Sequence, residues 1–145
     1  PIHADVAFWL DSEPTVSPLQ RVVGGAATGA PRPAHEHVID LVDEVTLMAY
    51  RSTAFGPSCS MASCSANGIY DLSLTEVTYA ASRGKKVFIG VETTNQGASL
   101  SFFGTNVATM RAELVKVSTA IGGNPGFGGF VVHDARGLAE LAQLP

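Results

Sequence analysis

The sequence predicts an α/β fold: four βα units on one parallel sheet in a single domain spanning residues 1–145. Two observations carry this. Four short apolar segments rich in Val, Phe or Ile alternate with segments of helical periodicity, the rhythm of βα units. The apolar runs are nearly continuous, which predicts strands covered on both faces.

The first predicted strand is 4–10, ADVAFWL. A stretch at 13–33 containing SEPTVSP, GGAATG and APRP reads as a long irregular loop. A helix follows at 35–41, with Val38, Ile39 and Val42 as its apolar patch. The second strand is 44–50, EVTLMAY. In the helix predicted over 72–83, Leu74, Val77, Ala80 and Ala81 fall at helical spacing, and Gly84 supplies a stop. The third strand is 86–91, KVFIGV. The helix at 107–121 has the clearest stripe, Met110, Leu114, Val117 and Ile121. Asn106 or Thr105 can cap it and Gly122 ends it. The fourth strand is 129–132, GFVV, and a short helix over 137–144 closes the chain.

Composition narrows the function. The chain is 46% hydrophobic and 15% charged, a globular balance. Nine Lys and Arg against thirteen Asp and Glu leave no basic surplus, so nucleic acid is not an expected partner. No apolar run approaches the roughly 18 residues of a membrane span, and no membrane partner is expected. The sequence begins at Pro1 without a basic-then-apolar leader, as expected of a processed product or a piece of a longer polypeptide. Cys59 and Cys64 share one Ser/Gly/Pro-rich loop, FGPSCSMASCSANG. A small loop disulfide is the preferred reading and would suit a secreted, extracellular protein; two free thiols are the alternative. Zinc would need two further ligands, and no nearby His supplies them. No cofactor is expected: GGAATG and GNPGFGG lack the phosphate-loop pattern and read as turns. His35 and His37 in PAHEHV look like a metal pair, but two residues apart they point to different helix faces, and a helix-start cap with solvated imidazoles is the preferred reading.

The candidate chemistry lies where strands end. The first strand runs into Asp11 and Glu13, the second ends at Tyr50 and runs into Arg51, the third runs into Glu92, and the fourth into His133 and Asp134. Ligands of parallel α/β folds bind at the carboxyl ends of strands. Carboxylates, a phenol, a guanidinium and an imidazole suit acid–base work on a polar neutral substrate such as a sugar. In this reading Glu92 is the acid/base, and Asp11 or a carboxylate of a partner chain is the second acid. Tyr50 and Arg51 tune and orient, with Arg51 lowering the pKa of a neighbouring carboxylate. His133, Trp9, Glu13 and Asp134 contact the substrate. The plainer alternatives are a Glu92–Arg51 rim ion pair, a satisfied rim histidine at 133, Trp9 as core, and Asp11 and Glu13 as turn and cap residues before Pro14.

The segments HADVAFWLD, VDEVTLMAYR, GKKVFIGVETTN and PGFGGFVVHDARGLAEL resemble the C-terminal half of a glycoside-hydrolase-like (β/α)8 barrel family, over most of the chain from Ala4 to Leu144. The resemblance implies that the four strands correspond to strands five to eight. It sets Asp11 at the end of strand five, Tyr50 and Arg51 at strand six, Glu92 at strand seven and His133 at strand eight. The D-x-E cluster that such barrels carry at strand four would lie before Pro1; the DSE at 11–13 is similar but ends the segment matching strand five. A complete barrel takes about 250 residues and eight strands. A half-barrel leaves two bare sheet edges, so another chain is expected to complete it, either a second copy or a separately cleaved N-terminal half. The expected function is a carbohydrate-active hydrolase-like protein. The alternatives are a non-catalytic, lectin-like binder and a structural subunit of an assembly.

Overall fold

The computed structural model describes residues 1–11, 33–56, 68–97 and 99–144. The irregular loop expected over 13–33 (save Pro33, the N-cap of the first helix), Glu13 itself and the Cys59–Cys64 pair lie outside the described residues. The order of elements is β1 (His3–Ala7), a 3-10 turn (Phe8–Asp11), α1 (Ala34–Leu41), β2 (Glu44–Met48), α2 (Leu74–Ser82), β3 (Lys86–Glu92), α3 (Val107–Ile121), β4 (Phe127–His133) and α4 (Ala135–Leu141). The strands form one parallel sheet in the order β1-β2-β3-β4. This is the predicted α/β class, with every sequential strand beside its predecessor. Among the described residues, β1 and β4 each have one neighbour and form the two edges.

Period-two alternation divides the strands into two faces. Val6, Val45, Leu47, Val87, Ile89 and Val91 face the helices and are almost fully buried. They pack with Ile39 of α1, Val77 and Ala80 of α2, Met110, Val117 and Ile121 of α3, and Leu141 of α4 in one core. The opposite face carries His3, Asp5, Thr46, Met48, Tyr50, Gly90, Glu92 and His133. The expected covering of both strand faces is met on one face among the described residues, where the helices build a single layer. The runs looked continuous because Ala7, Met48, Phe88 and Val131 place apolar residues on the second face as well. Val131 there is 40% exposed.

Local chemistry sets the boundaries. The expected strand 4–10 stops at Ala7, because its last ladder partner is Met48, where β2 also ends. Phe8–Asp11 then turns as a 3-10 helix. Val42 caps α1 in extended conformation and, like Val38, still packs against the core that holds Ile39. His35 is fully buried, with its ring edge-on to Tyr79 at 6.1 Å, so its expected solvation is overturned. Two ties hold α1 to the α2 region. Asp40 Oδ1 accepts from Tyr79 Oη at 3.0 Å and Arg83 Nε at 2.7 Å, while Lys85 Nζ donates to the Ile39 and Asp40 carbonyls. The stop expected at Gly84 is present, with φ +67. α3 matches its predicted span, and Asn106 Oδ1 caps it by accepting from Thr109 N at 2.8 Å. No helix of the described residues is long and apolar enough to cross a membrane.

Candidate functional site at the carboxyl ends of the strands

The site begins with a bulge. Val87 is paired with Phe127, but Phe88 is paired with Gly129, so β4 holds one extra residue, Gly128. A Cβ on Gly128 would stand 3.0 Å from the Phe88 ring, and Gly129 takes φ +121. Such a site suits glycine. The bulge moves the register by one, and a one-residue shift exchanges the faces of every later side chain. Glu92 is thereby set opposite His133 instead of Val132. Both side chains emerge on the face away from the helices.

Glu92 ends β3 with only 1% of its surface exposed. Its Oε1 accepts from Thr93 N at 2.8 Å, Thr94 N at 2.6 Å and Thr94 Oγ1 at 2.8 Å. Its Oε2 lies 2.8 Å from His133 Nδ1. Burial by itself would raise the carboxyl pKa. The Thr94 amide and hydroxyl, His133 and the Thr93 amide together outweigh it and hold Glu92 below its ordinary value. A buried ion is tolerable here because every bond it accepts is directed at the charged form.

The surrounding groups are fixed by the same turn. Thr93 N donates to the His133 carbonyl at 2.7 Å, and Thr93 Oγ1 accepts from Asp134 N at 2.9 Å. Phe102 N donates to the Glu92 carbonyl at 2.9 Å, anchoring the chain that leads towards α3. The His133 side chain remains 61% exposed. Tyr50 stacks near it, with ring centroids 6.0 Å apart and planes 23° from parallel. Burial, then the charges of Glu92 and Asp5, raise the Tyr50 phenol, so it stays a neutral donor. Tyr50 and His133 line a hollow of about 220 Å³ with Asp5, Thr46, Met48 and Gly90.

Arg51 and Asp134 have partners other than Glu92 and His133. Arg51 is buried, donates from Nη1 to the Tyr50 carbonyl at 2.7 Å, and places its guanidinium 4.9 Å from the centre of the Phe8 ring. It forms no ion pair with Glu92, whose bonds go to Thr93, Thr94 and His133. The Glu92–Arg51 rim pair is corrected, because backbone amides, the Thr94 hydroxyl and an imidazole take that place at Glu92. Burial also lowers the Arg51 pKa. Asp134, expected to contact substrate, is the N-cap of α4, with Oδ1 accepting from Gly137 N at 2.7 Å. Trp9 and Asp11 fall in the 3-10 turn that directly follows the carboxyl end of β1. Their side chains, like Glu13 as a whole, are outside the described residues.

Sequence reasoning left Asp5, Thr46 and Thr94 out of the site. The signal for the first two was a polar residue at an alternate position inside an apolar strand, A-D-V and V-T-L. Thr94 could be found only from its bonds. Among the described residues, no group of three or more His, Cys, Asp or Glu could hold a metal ion. Chemically, the arrangement offers an exposed imidazole backed by a buried carboxylate, a neutral phenol and a flat aromatic stack beside a small hollow. No family model, curated protein or solved structure matches the chain.

Proposed function

We propose that the chain is half of a (β/α)8 barrel, corresponding to strands five to eight, and that its strand-end rim takes a polar, hydroxyl-rich ligand of the glycan class for acid–base chemistry. The observation that carries this reading is the meeting of Glu92, His133 and Tyr50 beside one hollow at the carboxyl ends of β2, β3 and β4. Parallel α/β proteins place their ligands at that end. Hydroxyl groups match its neutral donors and acceptors, and the Tyr50–His133 stack offers a flat surface to a sugar ring. The singly ordered sheet, its one layer of helices and its two edges support completion by another chain, a second copy or a separately cleaved N-terminal half.

A lectin-like reading has its own support, because Glu92 is fully engaged by its own chain and does not face the hollow as a free acid. One experiment addresses both readings. Neutral mono- and oligosaccharides are titrated into the protein while backbone amide resonances are followed and the release of new reducing ends is assayed. Shifts clustered at Gly90, Val132 and His133 together with turnover are expected. Shifts without turnover support the binder. The absence of any shift across the panel overturns the glycan reading.

A further inference from the structure

We infer that His133, not Glu92, is the group that moves a proton in this site, and that Glu92 is its positioning residue. The inference rests on the strand-end site proposed above and assigns its roles. Accessibility separates the two side chains: His133 is 61% exposed and Glu92 only 2%. Glu92 Oε1 already accepts three bonds, and its Oε2 is directed at His133 Nδ1. With the side chain 2% exposed, Glu92 offers a ligand almost no accessible surface.

An ionised carboxylate only accepts hydrogen bonds. Nδ1 must then be the donor across the 2.8 Å contact, and neutral His133 carries its proton on Nδ1. That leaves the Nε2 lone pair as the base, on a ring whose orientation is fixed by Glu92 and by the Tyr50 stack. A carboxylate holding one imidazole nitrogen so that the other can act is the general logic of an oriented base. The proton balance closes on one group. Nε2 accepts a proton from a hydroxyl of the ligand held beside it. The resulting imidazolium returns the same proton to that oxygen, so the exchange forms and breaks only O–H and N–H bonds. Glu92 gains and loses nothing.

The test needs no substrate. Nitrogen-15 NMR of the imidazole reads which nitrogen carries the proton in the neutral ring. The wild-type protein is expected to show the Nδ1–H form at His133. In Glu92→Gln the side-chain amide can donate to Nδ1 while Oε1 keeps the threonine bonds, so the proton is expected to move to Nε2. An Nε2–H ring in the wild-type protein overturns the inference, whether or not the variant folds. An unchanged tautomer in a folded Glu92→Gln protein overturns it too. Failure of every saccharide to bind, with the Nδ1–H tautomer intact, refutes the ligand class alone.

Discussion

Glu92→Gln is also the sharpest test of the buried charge. The substitution keeps the shape of the side chain and removes its ionisation. Three of the four contacts come from Thr93 and Thr94, in a position 1% exposed. A bond to a charged group contributes about 1.5–3 kcal/mol and a neutral one about 0.5–1.5 kcal/mol, so three bonds lose roughly 3 kcal/mol on neutralisation. The fourth, to the largely exposed His133, is screened and adds little. A neutral amide is also easier to remove from water than a carboxylate, which offsets part of the loss. The net expectation is a destabilisation of about 1–2 kcal/mol at neutral pH. Its pH dependence follows from the direction of the Glu92 shift. The folded pKa lies below the ordinary 4.5, so the unfolded chain binds the proton more readily. The charge therefore stabilises the fold fully above 4.5, and this contribution disappears as pH falls through the lower folded value. Urea unfolding followed by circular dichroism, repeated from neutral pH downwards, should show the wild-type and variant stabilities converging in the acid range. Equal stabilities at neutral pH, or a gap that persists in acid, would refute the account of Glu92 as a buried anion held by directed bonds.

Two further outcomes follow from the surrounding structure. Gly137→Ala gains about 1 kcal/mol of helix propensity, but the new Cβ would lie 2.7 Å from the Thr93 carbonyl oxygen. Overpacking of that kind costs about 1–3 kcal/mol, so the thermal midpoint should fall and the His133 amide resonance should shift; a raised midpoint counts against the close approach of α4 to β3. Asn106→Ala removes the α3 cap and should cost about 1 kcal/mol in urea unfolding, whereas no change would show that Thr109 N finds another acceptor.

The legibility of this protein divides along the range of the interactions involved. Periodicity is local, so the βα alternation, the span of α3, its Asn106 cap and the Gly84 stop could all be read from neighbouring residues. Strand ends were less legible. The apolar run ADVAFWL continues past Ala7, but its ladder partner does not, and a run cannot report the length of the strand beside it. The same limit applies to His35, whose burial depends on where the Tyr79 ring docks.

By itself, the sequence determined the α/β class, the parallel order of units and the delivery of ionisable residues to strand ends. Tertiary structure alone decided which of those residues meet. Glu92 and His133 are 41 positions apart, and they face each other because the Gly128 bulge adds one residue to β4. In an unbulged ladder of the same sequence, Glu92 would lie opposite Val132 and the period of two would turn His133 to the other face. Arg51 and Asp134 are as polar in the sequence as Glu92. The fold assigns one to the Phe8 ring and the other to a helix start, because a side chain's partner is fixed by register and docking, not by its own chemistry.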